Sequence, residues 1–236
     1  MSTTEQATEQ ELRELVTLAG YVMDHRGLVD YLGHASARIP GADRIVIKPK
    51  HSARIRSMRQ LGPEDMIVVD LDGEQLSGQD PAPSERFIHT EIYRARPDVG
   101  GIVHTHQPAA TLLGMLDEPL RPLLHIPSTF VREEVARWEC ALLVTGADRG
   151  KEMATALGDA SILHLVNHGL VCVAEDVRRA TVTAVMVEEL AVANLEVLRT
   201  GRSPRVIPDD ERRLLIEESQ PITGRWAYYL QQAGVE

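Results

Sequence analysis

Helical and strand-like segments alternate along this 236-residue chain, and hairpin turns interrupt the alternation. Residues 9–28 carry apolar side chains at helical spacing, and Gly27 is placed to end that helix. Short strand patterns follow at 35–39 and 43–48, on either side of a Pro-Gly turn. Residues 64–76 predict two further strands joined by an Asp-Gly turn. This combination favours a layered α/β domain whose sheet is mixed or mostly antiparallel.

The second half of the chain continues the same alternation. Its predicted elements are a helix at 83–97 with Ser84 as its cap, a strand at 99–106, a short helix at 108–116, a strand at 140–144, a helix at 149–159, two strands within 161–175 and a long helix at 176–201. No repeat, low-complexity tract or linker divides the sequence, so we expect one domain over residues 1–236. We expect residues 202–236 to be a C-terminal tail at a subunit contact, because clustered aromatic side chains are typical of such contacts.

Composition narrows the classes of partner. The net charge of −10 argues against general binding of nucleic acid, which needs many Lys and Arg side chains. The first residues are polar and acidic, unlike a secretory signal, and no segment approaches the roughly 20 consecutive apolar residues of a membrane span. We therefore expect a cytoplasmic protein without a membrane partner. A small anionic substrate stays compatible with the acidic total, because a site can be locally basic.

Two histidines, His104 and His106, stand at the end of an apolar strand pattern. Residues two apart on a strand point to the same face, so both imidazoles project together. Neutral imidazole is a good ligand for first-row divalent metals. His168 interrupts another apolar stretch, and Glu85 lies at the start of the helix that leads into the histidine strand. A metal site is one explanation of the pair, and two histidines at a surface strand end are the other.

The segments PSERFIHTEIYRARPDVGGIVHTHQPAA and LVNHGLVCVAEDV together resemble the class II aldolase/adducin family. The resemblance runs from about Arg26 to Thr200 and implies a three-layer α/β/α fold around a central mixed, mostly antiparallel sheet. It also implies one divalent metal ion per subunit, zinc or else manganese, iron or cobalt, and a homotetramer with sites near subunit interfaces. Its implied metal ligands are His104, His106 and His168, with Glu85 as a further ligand or a proton carrier.

Three histidine ligands leave coordination positions open, as in catalytic metal sites. Such a metal is a Lewis acid that stabilises the enolate left when a carbon–carbon bond next to a carbonyl breaks. Loss of an aldehyde makes the reaction a retro-aldol cleavage, and loss of carbon dioxide makes it a decarboxylation. The metal ligands therefore do not distinguish an aldolase from a decarboxylase.

The phosphate-binding segments of the family's aldolases distinguish the two. Those aldolases carry Gly-Asn-x-Ser, a Thr-Pro-Ser-Gly-like turn and a Ser-Ser pair before the acid. This chain has His34 in place of the Asn, Lys48 to His51 in the turn, and Pro83 in place of the first Ser. A proline has neither an N–H nor a hydroxyl to donate. We therefore expect a metal-dependent decarboxylase of a small hydroxylated aromatic or oxo-carboxylic acid, serving aromatic compound catabolism.

Two alternatives stay open. The first is a class II aldolase or epimerase acting on a sugar phosphate. The second is a non-catalytic, adducin-like interaction domain, which the presence of all three histidines and Glu85 disfavours. For the decarboxylase we predict six substrate-binding residues and a C-terminal contribution from two tyrosines: His34, Ser36, Arg38, Lys48, Ser84 and His125, with Tyr228 and Tyr229. For Ser36 and Arg38, a role as ordinary strand residues is the alternative.

Overall fold

A computed structural model describes residues 7–52, 54–55, 57–131, 134–219 and 221–235. In these residues eight strands form one sheet: β1 (His34–Arg38), β2 (Arg44–Ile47), β3 (Ile67–Asp70), β4 (Gln75–Ser77), β5 (Gly101–Thr105), β6 (Ala136–Trp138), β7 (Ile162–Leu165) and β8 (Gly169–Ala174). Their order is β4-β3-β2-β1-β5-β8-β7-β6. Every neighbouring pair is antiparallel except β6 and β7. The predicted mixed, mostly antiparallel sheet is confirmed.

Helices cover both faces of the sheet. The α-helices among the described residues are α1 (Glu9–His25), α2 (Phe87–Ala95), α3 (Pro108–Met115), α4 (Ala147–Leu157), α5 (Val177–Arg199), α6 (Asp209–Glu217) and α7 (Thr223–Gln232). Helices α1, α3, α5 and α7 share one hydrophobic core with the sheet. Helices α2 and α4 form a second core on the opposite face. The predicted three-layer arrangement is therefore confirmed.

Strand alternation decides which face holds each functional side chain. On β5, Val103 belongs to the core of α1, α3 and α5, whereas Ile102 belongs to the core of α2 and α4. His104 lies two residues after Ile102, so its imidazole points to the α2 and α4 face. His34 pairs directly with His104 across β1 and β5, and it shares that face.

Several predicted element boundaries are confirmed, and two are wrong. Gly27 follows α1 with a positive φ of 65°, and the Asp176 side chain caps α5 by accepting from the Arg179 N–H at 2.9 Å. The strand predicted at 140–144 is absent, because the sheet edge is formed by β6 and the Val144 N–H donates to Glu85. Helix α2 begins at Phe87 instead of Ser84, so Ser84 is not its cap.

The C-terminal segment contains two helices that the sequence did not predict, α6 and α7. Trp226 and Tyr229 on α7 are 8% and 3% exposed, so two of the clustered aromatics pack in this chain's own core. Tyr228 stays exposed. In the described part of the chain, no helix has the length and apolar character needed to cross a bilayer.

Candidate active site

Three imidazoles converge at the end of β5 and at the turn between β7 and β8. The ring centroids of His104 and His106 are 4.8 Å apart, those of His104 and His168 are 4.9 Å apart, and those of His106 and His168 are 5.2 Å apart. One nitrogen from each ring lies within 4.8 Å of the other two. His104 is fully buried. The three side chains that the sequence proposed as metal ligands thus lie together.

The donor set fits a divalent metal. The His104 Nδ1 lies 3.0 Å from the Leu170 carbonyl, which can only accept, so Nδ1 carries the proton and Nε2 is left with a lone pair. The Nε2 atoms of His104 and His106 are 3.0 Å apart. Two imidazoles bound to one tetrahedral zinc at about 2.0–2.1 Å would place their nitrogens about 3.3 Å apart. The buried tautomer and this spacing suit a shared ion.

The pairing of β5 with β8 creates this convergence. The turn between β7 and β8 places Asn167 at a φ of 61°, and the next residue, His168, turns towards His104 and His106. Gly169 leaves room for this approach: a Cβ there would lie 2.2 Å from the Thr105 carbonyl oxygen and 2.9 Å from the His106 ring. A larger residue at this position would displace the His106 imidazole.

Glu85 lies beside the triad, in the turn that precedes α2. Its Oε2 is 3.6 Å from His168 Nε2, and its Oε1 accepts from the Val144 N–H at 2.8 Å. Burial raises the pKa of the Glu85 carboxyl, but His168 and the Val144 N–H together outweigh burial and leave the pKa below its ordinary value. The side chain is therefore a carboxylate at neutral pH, held within reach of the triad.

A chain of buried polar groups runs from the triad into α2. His34 Nδ1 lies 2.7 Å from His89 Nε2, and His89 Nδ1 lies 2.6 Å from Ser36 Oγ. Ser36 Oγ is 3.0 Å from the Tyr93 hydroxyl. The His34 ring centroid is 5.1 Å from that of His104. Ser36, predicted to contact substrate, instead forms part of this chain.

Lys48 and His51 are buried beside His34. Lys48 is 4% exposed, and its ammonium donates to the Gly33 carbonyl at 3.2 Å. None of the described carboxylates forms a salt bridge with the Lys48 ammonium. Neither ring nitrogen of His51 has a hydrogen-bond partner in the described structure, although the residue is only 5% exposed. Its ring centroid lies 4.9 Å from that of Tyr31, and the two rings are tilted by 53°. Burial lowers the pKa of Lys48 to about 8, and it also lowers the pKa of His51, which nearby Lys48 depresses further.

Two predicted substrate residues lie elsewhere. The Arg38 Nε donates to the Val99 carbonyl at 2.9 Å, and its Nη2 donates to the Arg96 carbonyl at 3.0 Å. Its guanidinium thus binds the end of α2, so Arg38 is not free to hold a substrate carboxylate. His125 lies in a groove against α6, which is not part of the layer that carries the triad. Ser84 does stand next to Glu85, and its Oγ lies 3.2 Å from the Lys50 ammonium.

The C-terminal tyrosines lie on the opposite side of the sheet. Helix α7 packs against α1 and α5, whereas the triad faces α2 and α4. Tyr229 lies under the Arg26 guanidinium, 5.2 Å from its carbon, and Tyr228 contacts Tyr229. Neither tyrosine reaches the triad of its own chain.

Sequence reasoning did not single out Tyr93, named His51 only within the altered turn, and left open whether His89 partners Glu85 or is an exposed helical residue. A usable signal existed for His89, because it lies four residues after Glu85 and therefore on the same side of the predicted helix. Tyr93 lies four residues further on along that helix. For His51 no periodic pattern gave a signal, since it stands in the irregular segment after β2.

The sequence matches the Class II Aldolase and Adducin N-terminal domain over residues 14–195. The chain belongs to the class II aldolase/adducin family. Among its relatives, 3,4-dihydroxyphthalate decarboxylase of Arthrobacter keyseri is 34% identical over 214 residues, which are 86% of each protein. The 5-methylthioribulose-1-phosphate/5-deoxyribulose-1-phosphate aldolase of Rhodospirillum rubrum is 30% identical over 158 residues, 67% of this chain and 70% of the aldolase.

Solved structures show the same fold as this class II aldolase/adducin chain. L-fuculose 1-phosphate aldolase from Glaciozyma antarctica PI12 superposes with a TM-score of 0.81 at 22% identity, covering 98% of this chain and 93% of the aldolase. The family resemblance seen in the sequence is confirmed, and so is the fold that it implied.

Proposed function

We propose that this chain is a divalent-metal-dependent decarboxylase of a small hydroxylated aromatic acid that carries a second carboxylate, as dihydroxyphthalates do. The observation that carries the proposal is the buried Lys48 ammonium beside His34, with no carboxylate partner among the described residues. A buried cation without a counter-charge is costly unless a ligand supplies one. The choice lies between the reactions of two relatives, a decarboxylase and an aldolase, which both cleave a carbon–carbon bond.

Lys48 and His51 form the proposed carboxylate site. Both side chains are almost fully buried, and the Lys48 charge lies close enough to lower the pKa of His51. One carboxylate accepts a charge-assisted hydrogen bond from the ammonium and a second bond from a ring N–H, which supplies His51 with its missing partner. The carboxylate that stays on the ring after reaction is thereby held while the neighbouring carboxylate is released.

The triad of His104, His106 and His168 would hold the metal, with Glu85 beside it. A divalent ion there supplies a Lewis acid that stabilises negative charge on substrate oxygens as carbon dioxide leaves. His104 is fully buried and His168 is half-buried, so the metal would lie at the edge of the buried layer with one side facing the site. Glu85 is a carboxylate in the free protein, placed to take up a proton from solvent or a substrate hydroxyl and to deliver it to the ring carbon that carbon dioxide leaves.

The sugar-phosphate alternative lacks support from the same residues. A phosphate cradle uses small hydroxyls and backbone N–H groups, and Pro83 supplies neither. The Ser84 hydroxyl is already in contact with Lys50. His34 Nδ1 is engaged with His89 and is not directed at a ligand.

We extend the proposal to a one-domain subunit of a homotetramer with active sites near subunit interfaces. Exposed apolar side chains flank the site: Tyr31 contacts the His51 ring, and Leu143 precedes the Val144 amide that binds Glu85. His125 and Tyr228, which do not reach their own triad, and the segment 202–236 are then available to a neighbouring subunit.

The pH dependence of binding tests the Lys48 assignment. Because the pKa of Lys48 is about 8 in the free protein, kcat/KM for a dihydroxyphthalate should fall as pH rises through 8 and the ammonium loses its charge. In Lys48→Met this limb should vanish, with kcat/KM at pH 7 lowered about 10–100-fold, the loss of one charged hydrogen bond. Lys151→Met, on the exposed face of α4, is the matched control.

The free energy of unfolding should rise with pH over the range in which kcat/KM falls. The folded pKa of Lys48 lies below its unfolded value, so burying the ammonium costs stability fully below pH 8, and the cost disappears as pH rises towards the unfolded pKa. Lys48→Met should therefore melt higher than the parent at pH 7. A variant that melts lower and keeps the parent pH profile would reject the carboxylate site.

A substrate panel tests the reaction itself. The metal-loaded protein is incubated with dihydroxyphthalic acids, dihydroxybenzoic acids and ketose phosphates, while carbon dioxide and aldehyde release are followed. We expect carbon dioxide from the dihydroxyphthalic acids, and much less from the dihydroxybenzoic acids, which lack the second carboxylate. Aldehyde from a ketose phosphate without carbon dioxide from any acid would establish the aldolase alternative.

A further inference from the structure

The buried chain Tyr93–Ser36–His89–His34 has a direction that its hydrogen bonds determine. The Tyr93 hydroxyl lies 3.1 Å from the Ser36 backbone carbonyl, which can only accept. The Tyr93 hydroxyl therefore donates its one proton to that carbonyl. If it pointed at Ser36 Oγ instead, two oxygens would face each other at 3.1 Å with no proton between them.

The remaining protons follow in sequence. With its proton on the carbonyl, the Tyr93 oxygen accepts from the Ser36 hydroxyl at 3.0 Å. Ser36 Oγ then accepts from His89 Nδ1–H at 2.6 Å, which leaves His89 Nε2 unprotonated. His89 Nε2 in turn accepts from His34 Nδ1–H at 2.7 Å. Burial holds His89 neutral, with a pKa of about 3, so its ring has one proton to place.

We propose that this relay is a positioning device that fixes His34 as the Nδ1–H tautomer and presents the Nε2 lone pair on the triad side as a hydrogen-bond acceptor. Among the described residues, His34 Nε2 has no hydrogen-bond partner. It is also not one of the fully buried ring nitrogens, so a ligand can reach it. The His34 ring contacts the His104 ring at 5.1 Å, and Lys48 lies near enough to influence His34 electrostatically.

The fixed tautomer selects the group that His34 can bind. An unprotonated Nε2 accepts from an O–H and cannot donate to a carboxylate. Resting on the proposed function, we assign His34 to the phenolic hydroxyl of the substrate and Lys48 with His51 to its retained carboxylate. A substrate whose ring hydroxyl is methylated would then lose its bond to His34, because it has no proton to donate.

Nitrogen-15 NMR of histidine-labelled, zinc-loaded protein tests the tautomer without any assay of activity. An unprotonated ring nitrogen resonates at far lower field than a protonated one, so we expect the low-field signal at Nε2 of His34. In Tyr93→Phe the Ser36 hydroxyl is freed to donate to His89 Nδ1, and a second population with protonated Nε2 should appear. We expect kcat/KM for the hydroxylated substrate to fall by up to about tenfold, chiefly through a higher KM, as the bond to the substrate hydroxyl is lost in the second population.

Two further variants separate the relay from ordinary packing. Ser36→Thr keeps the hydroxyl and should retain the parent tautomer. Thr90 lies on the same helix, and its buried hydroxyl has no hydrogen-bond partner among the described residues. Thr90→Val should therefore change neither the spectrum nor the rate. A parent spectrum with protonated Nε2, or an unchanged His34 signal in Tyr93→Phe, would overturn the proposal. Failure of the decarboxylase proposal would show instead as a correct tautomer without carbon dioxide release.

Discussion

His104→Gln should lower the bound divalent metal to well under one ion per chain and reduce carbon dioxide release by at least about 100-fold. The magnitude is a lower bound, because even residues that only orient metal ligands change affinity or activity by about 10–100-fold. His104 is fully buried and its Nδ1 is bound to the Leu170 carbonyl, so its Nε2 is held in a fixed position that a Gln side chain does not reproduce. Metal analysis of the dialysed variant, alongside its rate, measures both effects.

His164→Gln is the matched control for that variant. His164 is also a buried strand histidine, 4% exposed, on β7. It pairs with Leu170, and its ring lies against Gly114 in the layer of α3 and α5, on the other face of the sheet. It should keep its metal and its rate. Equal metal loss in both variants would mean that general destabilisation, and not ligand removal, explains the result.

Glu85→Gln should lower kcat by about 10²–10⁴-fold, the range ascribed to a positioned acid or base, while metal content changes little. The amide oxygen of Gln can still accept from the Val144 N–H, which limits the structural damage. What the amide lacks is the capacity to receive and deliver a proton. Steady-state kinetics with the best substrate of the panel, together with metal analysis, provide the measurement.

Glu91→Gln serves as the comparison. Glu91 is another buried carboxylate associated with α2, 3% exposed, and it faces Arg94 at 3.6 Å instead of a histidine. It should retain most of the parent kcat. If Glu85→Gln behaved like Glu91→Gln, the proton-transfer role would pass to another group.

The part of the site that was predictable from sequence is the part that strand and turn patterns control. His104 and His106 follow an apolar run and obey the two-residue alternation of a strand, so their common face could be inferred. His168 stands where Asn and Gly interrupt an apolar stretch, and a turn there was expected. Their meeting required the β5–β8 pairing, which local patterns do not contain and the family resemblance supplied.

The substrate residues were harder to predict, because their roles depend on which long-range partner each side chain meets. Arg38 lies on the same strand face as His34 and Ser36, as the alternation predicted. Its guanidinium nevertheless donates to backbone carbonyls at the end of α2 and not to a ligand. Lys48 was predicted to bind substrate, but its burial against the Gly33 carbonyl follows from tertiary packing that no local pattern indicates. The strand predicted at 140–144 does not form for a related reason: the Val144 N–H donates to the Glu85 carboxylate and not to a neighbouring strand.

Carbon dioxide release should depend on a divalent metal held by His104, His106 and His168. Metal-stripped protein is titrated with zinc, manganese, iron or cobalt while carbon dioxide release from 3,4-dihydroxyphthalate is recorded. We predict no release without metal, and a rise that levels off at one ion per chain for the parent and is absent in His104→Gln. Full release from metal-free protein, or aldehyde from ketose phosphates as the one product of the metal-loaded protein, would show that this chain is not a metal-dependent decarboxylase.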